Sequence, residues 1–415
     1  MSEVREKALA AKQAAVVMNR LSAEAKNKAL SLMADALIKQ QAQIIEANEK
    51  DLNYGREHGT SESLLDRLAL NPDRIQGIAE GLRQIIELPD PIGDVLSQFD
   101  RPNGLHIEQI RVPLGVIGMI YEARPNVTVD AAGLCLKTGN AVVLRGGSAA
   151  LHTNKAIVKA LHSALQPSDV PADAIQLIED PNRSSVDEML KLNGLLDVVI
   201  PRGGASLIQN VVQNATVPVI ETGAGICHTF IDETANPMMA AEIAWNAKVQ
   251  RPSVCNSIET LLVHEAFSTE ELAKLLDRLH DRQVEIYGCE RTAKLASYVK
   301  LAADDNYATE YNDYVLNVKI VNTLDEAIAH ISRYGTMHSE CIVTENADHA
   351  RRFMQEVDAA AVYHNASTRF TDGFEFGFGA EIGISTQKLH ARGPMGLPAL
   401  TSSKYRIYGT GQVRS

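Results

Sequence analysis

Thr138-Gly139-Asn140-Ala141-Val142-Val143-Leu144-Arg145-Gly146-Gly147-Ser148 reads as a turn, a short unbroken apolar run and a glycine-rich exit. A run with no alternation belongs to a strand covered on both faces, because a half-exposed strand would show a polar residue at every second position. Val112 to Tyr121 precedes it as another such run, and His152 to Leu165 follows it with helical spacing. Further strands are expected at Ile175 to Ile178, Leu196 to Ile200 and Val217 to Ile220, with helices at Ser184 to Leu192 and Ser206 to Gln213 between them. Continuous apolar strands separated by amphipathic helices predict a parallel sheet sandwiched between helices, the doubly wound α/β class.

Upstream, the first ninety residues are helical in pattern. Leu30, Met33 and Leu37 share one face behind a candidate N-cap at Ser22, and Ile75, Ile78, Leu82 and Ile86 form a stripe after Asn71-Pro72. Asp100 to Gly104 is a turn signal, and His106 to Arg111 alternates like an exposed strand. After Gly223-Ala224-Gly225 the α/β alternation restarts, with strands expected at Ser257 to Val263, Tyr314 to Ile320, Ser339 to Thr344 and Ala359 to His364. A domain boundary therefore falls near residues 223–226, and Lys404 to Tyr408 reads as one more edge strand.

The 415 residues carry 40 basic and 52 acidic side chains, a net charge of −12, which disfavours nucleic acid or a polyanionic membrane surface as partner. No stretch is apolar enough to span a bilayer, and charges at Glu3, Arg5, Glu6, Lys7 and Lys12 exclude a signal peptide, so a cytoplasmic protein is expected. The five cysteines are at least 28 residues apart, giving neither a metal knuckle nor a disulfide framework. No HExxH occurs, and no metal is expected.

Cys255 stands out, in Gln250-Arg251-Pro252-Ser253-Val254-Cys255-Asn256-Ser257, a turn-rich approach to an apolar strand. Such a junction leaves a thiol partly exposed, and Arg251 nearby favours the nucleophilic thiolate. Cys135, Cys227, Cys289 and Cys341 lack that setting and are expected to be buried. Glu221 ends the run Val217 to Ile220, where a carboxylate points into the crevice used by α/β ligands or caps the next element. Arg202-Gly203-Gly204-Ala205-Ser206 joins strand to helix, where bare N–H groups can cradle a phosphate. His338 and His364 receive no role.

Together, Pro113-Leu114-Gly115-Val116-Ile117-Gly118, the 138–148 segment, and Glu221 followed 34 residues later by Cys255 resemble the aldehyde dehydrogenase superfamily. Asp325-Glu326-Ala327-Ile328 with Tyr334-Gly335 is similar to a further segment of that family, and counting back along it places Glu310 where the resemblance implies a carboxylate on the nicotinamide ribose. Tyr121-Glu122-Ala123-Arg124-Pro125-Asn126-Val127-Thr128 replaces the family's usual loop. With His330-Ile331-Ser332-Arg333-Tyr334-Gly335-Thr336-Met337-His338-Ser339-Glu340 and Val362 to Met395, it resembles the branch that reduces γ-glutamyl phosphate in proline biosynthesis.

That resemblance implies a Rossmann-type NADP-binding domain (1–96 and 112–223), an α/β catalytic domain (224–390), and oligomerisation strands (97–111 and 391–415). It implies attack of Cys255 on an acyl phosphate, loss of phosphate, and reduction of the resulting thioester by NADPH to glutamate 5-semialdehyde. Asn126 or Arg124 would serve the oxyanion, and Glu221 would handle a proton, activate the thiol or act only structurally. Arg145, Gly146, Ser148, Gly203, Gly204 and Glu310 would hold the cofactor. NADP(H) is expected because Arg145 follows the adenosine-side strand and no acid occurs before Asp169, while Lys155 and Lys159 lie on the next helix. Arg251, Arg369 and Arg392, with Lys388, are candidate anion contacts for glutamyl phosphate. The labile substrate would come from a separate glutamate kinase, and polar edge strands predict a homodimer or homotetramer. The alternatives are a non-phosphorylating aldehyde dehydrogenase, a thiol hydrolase and an inactive scaffold.

Overall fold

A computed structural model describes residues 1–414, and its contacts divide the chain into two compact units. The first comprises 1–222, 377–383 and 395–415; the second comprises 223–376 and 384–394. One continuous catalytic stretch over 224–390 was expected, but residues 377–383 return to the first unit.

In the first unit, five helices over the first ninety residues pack their apolar faces inward. Ser22 caps Ala23–Lys39 by accepting the Ala25 N–H, and Asn71 caps Pro72–Glu87 by accepting the Arg74 N–H. Four parallel strands run in the order Ile175–Leu177, Ala141–Gly146, Val116–Tyr121, Val198–Arg202. All six residues of Val116–Tyr121 and of Ala141–Gly146 are buried, as their unbroken apolar character requires. The expected single strand from Val112 to Tyr121 is two: Gly115, at φ +124°, separates His106–Pro113 from Val116–Tyr121.

Val217 to Ile220 forms no strand. Only Val219 bridges Val199, through Val199 N–H to Pro218 O and Ile220 N–H to Val199 O. Pro218 has no N–H to extend the ladder. Val95–Asp100, His106–Pro113 and Thr401–Tyr408 make a separate antiparallel sheet. Every residue of Val95–Asp100 and all but Thr401 in the last strand are exposed.

The second unit holds seven parallel strands in the order Lys300–Leu301, Glu285–Gly288, Val315–Val321, Ile258–His264, Cys227–Ile231, Ser339–Val343, Ala361–His364. Ala240, Ala244, Leu272, Leu276, Leu261 and Val318 belong to the core between helices Pro237–Val249, Thr269–Asp281 and the sheet. The pairing of Cys227–Ile231 with Ile258–His264 shifts register, so Glu259 has no opposite residue between Cys227↔Ile258 and His228↔Thr260. This bulge sits at the edge where the second unit assembles its chemistry.

Candidate active site

In the second unit the chemistry gathers at the N-terminal edge of the sheet. Cys255 lies in the turn between helix Pro237–Val249 and strand Ile258–His264, and it is half-buried. Arg369 shares its electrostatic neighbourhood. Burial and the repulsion of Arg251 push the Arg369 guanidinium pKa down, while Cys255 and Asp372 pull it up. Two cations and a thiol therefore lie within one another's field, an arrangement that favours a thiolate and an oxyanion. Arg369 Nε donates to Gln250 Oε1 at 2.8 Å, which fixes the side chain beside the turn.

The backbone beneath Cys255 is tightly specified. A Cβ on Gly225 would stand 1.5 Å from the Cys255 carbonyl oxygen, so no other residue fits there. Gly225 N–H donates to Glu310 Oε1 at 2.7 Å, and Ile226 N–H to Thr336 Oγ1 at 3.0 Å. Glu310 is thus joined to the segment on which the Cys255 turn rests. On the other side, Asn256 Nδ2 donates to Thr371 O, and Thr368 Oγ1 donates to Asn256 O.

Arg392 Nη2 donates to Asp358 Oδ1 at 2.7 Å, and Lys388 pairs with the same carboxylate, so both expected anion contacts share one acidic partner. Cys289 was expected to be buried, yet it is half-buried at the opposite, C-terminal edge of the sheet, following Glu285–Gly288. Burial raises its thiol pKa, but hydrogen bonds from Thr292, Ile320 N–H and nearby backbone outweigh this and lower it. Cys135, Cys227 and Cys341 are buried.

His338 is fully buried at the same edge as Cys255, with Nδ1 2.8 Å from Ser339 Oγ, and burial pushes its pKa down to about 4. The unfolded chain protonates this imidazole near its ordinary value of about 6.5, so between the two values it binds more protons than the folded one. Stability is therefore expected to fall as pH drops through that window, by roughly 3 kcal/mol at full effect. Urea denaturation between pH 7 and 4 checks this: His338→Gln should flatten the decline relative to the parent protein.

In the first unit, three glycine- or proline-punctuated loops leave the C-terminal edge of the parallel sheet. Val116–Tyr121 lies at the point where strand order reverses, the position at which doubly wound sheets bind ligands. Gly204 is the N-cap of Ala205–Asn214, without a side-chain cap. The cradle is shared with a residue the sequence reading passed over. Glu122 Oε2 accepts the Gly204 N–H at 3.0 Å, and a Cβ on Gly203 would lie 2.7 Å from that carboxylate. Gly146 is required by packing, since a Cβ would meet Asn154 at 2.3 Å. Ser148 is exposed at the start of the next helical turn.

Arg145 does not stand free for a phosphate. It is 8% exposed, and its guanidinium donates to Pro181 O, Asn182 O, Gly146 O and Ser185 Oγ. Its length lets it fold back onto the loop beyond the neighbouring strand, where unpaired carbonyls hold it. Lys155 pairs with Glu179 at 2.5 Å, an acid just past the next strand. Asn126, exposed on the first turn of Pro125–Lys137, donates to Asp130 Oδ2 at 3.1 Å; burial raises the Asp130 pKa to about 6 against the pull of Asn126 and Arg202. Arg124 is exposed at the N-cap of the same helix, and Glu221 is half-buried two residues past the Val219 bridge. Among the described residues no helix is long and apolar enough to cross a membrane, and no three His, Cys, Asp or Glu side chains cluster as metal ligands.

Two α/β units, one with a glycine-lined sheet edge and one with a half-buried cysteine in the electrostatic neighbourhood of Arg369, agree with a family model. Residues 1–306 match the aldehyde dehydrogenase family, and the chain belongs to that family. Similarity continues over the full length to proteins named gamma-glutamyl phosphate reductase. The one from Halalkalibacterium halodurans is 59% identical over 415 residues, and the one from Geobacillus kaustophilus 57%, each covering all of both chains. The crystal structure of the Thermotoga maritima gamma-glutamyl phosphate reductase superposes with a TM-score of 0.98 at 49% identity, covering all of both chains.

Proposed function

We propose that this chain reduces L-glutamyl 5-phosphate to L-glutamate 5-semialdehyde and phosphate, in proline biosynthesis. The observation that carries the reading is the half-buried Cys255 thiol in the field of Arg251 and Arg369, in a chain alike over its whole length to proteins named for that reduction. A carboxylate resists hydride, whereas an acyl phosphate surrenders phosphate to a thiolate and leaves a reducible thioester. Cys255 forms the C–S bond as the C–O bond to phosphate breaks, and the departing dianion leaves beside Arg251 and Arg369. A backbone N–H, with Asn126 or Arg124, is the proposed donor to the developing oxyanion. Glu221 is proposed to handle a proton on the thiol rather than to activate water.

The turn Gly203-Gly204, at the sheet's reversal point, is proposed to take the pyrophosphate of a nicotinamide dinucleotide, the phosphate replacing Glu122 as acceptor of the Gly204 N–H. When bound, that cofactor supplies the hydride. Glu310 is proposed to accept from its ribose. The phosphorylated form, NADP(H), is proposed on exposed Ser148 and Lys159, not on Arg145 or on Lys155, which is paired with Glu179. The exposed three-stranded sheet, carrying Val95, Leu96, Phe99, Tyr405 and Ile407, is proposed to meet a second copy, and a separate kinase to supply the acyl phosphate.

Phosphate dependence tests the reading. With semialdehyde and NADP, reduction of NADP should require inorganic phosphate and yield the acyl phosphate. A rate that ignores phosphate and releases free glutamate would instead identify a non-phosphorylating dehydrogenase.

A further inference from the structure

We propose that Cys227 is a positioning residue for the nucleophile: its buried thiol donates to the carbonyl of Cys255 and holds the nucleophile's turn in place. The proposal rests on Cys255 being the nucleophile. Cys227 Sγ lies 3.1 Å from Cys255 O, on the first residue of the strand beside Ile258–His264. The same carbonyl faces Gly225 with no room for a side chain, so the Cys255 peptide is gripped by a wall and by a donor.

The surroundings keep that donor a thiol. Burial, with the carboxylate of Glu340 adding to it, holds the Cys227 pKa well above its ordinary value. The near base, His338 Nδ1 at 3.7 Å, sits in a wholly buried ring that stays neutral at physiological pH and already faces Ser339 Oγ. Ser339 Oγ is 2.7 Å from Thr371 Oγ1, which is 2.7 Å from Tyr363 OH, while Thr371 O receives the Asn256 amide. A polar chain thus runs from the starts of two neighbouring strands to Tyr363 on a third and returns to the residue after the nucleophile. Buried groups hydrogen-bonded to one another in this way restrict the local geometry, although His338 Nε2 and Asn256 Oδ1 find no partner. Cys227 is distinct from a second nucleophile, since it is a donor closed off from solvent.

The test uses the full-length enzyme with semialdehyde, phosphate and NADP. Cys227→Ala is expected to lower kcat about tenfold, the worth of one hydrogen bond, with KM little changed. It should also displace the pH profile of Cys255 alkylation by iodoacetamide. Cys227→Ser, which retains a donor, should recover part of both. If Cys227→Ala keeps kcat and the alkylation profile while only thermal stability falls, the thiol is mere packing and the proposal is overturned. Should the alanine variant fail to fold, infrared spectroscopy of the parent protein decides. The S–H band lost in Cys227→Ser must lie at the lowered frequency of a donating thiol, and a free-thiol frequency overturns it. A Cys255→Ser enzyme that stays active would sink the underlying reading; an inactive one beside a fully active Cys227→Ala sinks only this inference.

Discussion

Cys255→Ser is expected to abolish phosphate-dependent NADP reduction, lowering kcat by roughly a thousandfold or more. Removing a nucleophile from an unrelated hydrolase costs on the order of a millionfold, and a thousandfold already corresponds to about 4 kcal/mol of barrier. Two effects add. A hydroxyl is far less acidic than a thiol, so a positive field that would favour a thiolate would still leave serine protonated. Any oxyester that did form would also accept hydride poorly, because its carbonyl is better stabilised by resonance than that of a thioester. Cofactor binding should persist, which titration with NADPH would report. The rival thiol is Cys289, half-buried and acidified at the other edge of the same sheet. Limited alkylation followed by peptide mapping separates them, since activity must track modification of Cys255. Loss of activity with Cys289 labelled and Cys255 intact would refute the assignment.

Sequence patterns exposed the scaffold more readily than the polar detail. Ala141–Gly146 and Val116–Tyr121 are buried on every residue, so hydrophobic periodicity alone located them. The run at 217–220 misled because Pro218 satisfies the same apolar pattern while removing a ladder donor. Arg145 shows a different limit: a long flexible side chain at a strand end reaches several partners, and which one it takes depends on the loop at 181–182, some 36 residues away. The pairing of Arg392 with Asp358, 34 residues away in sequence, carries no local signal either. Cys289 was missed because its acidity comes from Thr292 and the Ile320 amide, brought together only by strand pairing. Glu122 and Cys227 carry no motif of their own; each is tied to one backbone group across a neighbouring loop or strand. Local chemistry is legible where the fold is periodic, and obscured where a single long-range contact decides it.

Lys248→Met is expected to destabilise the protein by about 3–5 kcal/mol, the cost of breaking a buried ion pair from one side. Lys248 closes helix Pro237–Val249, and Glu259 is the bulged residue of the following strand, so the pair clamps both ends of the turn that carries Cys255. Their side chains are 0% and 1% exposed, with Lys248 Nζ 2.9 Å from Glu259 Oε2 and 3.1 Å from Ile258 O. Burial dominates both partners. It raises the Glu259 pKa to about 7 despite the pull of Lys248, and it lowers that of Lys248 despite the pull of Glu259. Methionine fills the space but leaves a carboxyl with only the Asn312 N–H at 3.2 Å, so the acid must take up a proton or remain charged in an apolar wall. Against a typical total stability of about 5–15 kcal/mol, that loss should be plain in urea denaturation at pH 7.5. It should shrink toward pH 5.5, where the orphaned Glu259 is protonated. The double variant Lys248→Met/Glu259→Leu removes both charges and should recover most of the stability, because a matched apolar pair avoids desolvation altogether. Equal losses in the single and double variants would show that the pair contributes shape rather than charge to the turn that carries Cys255.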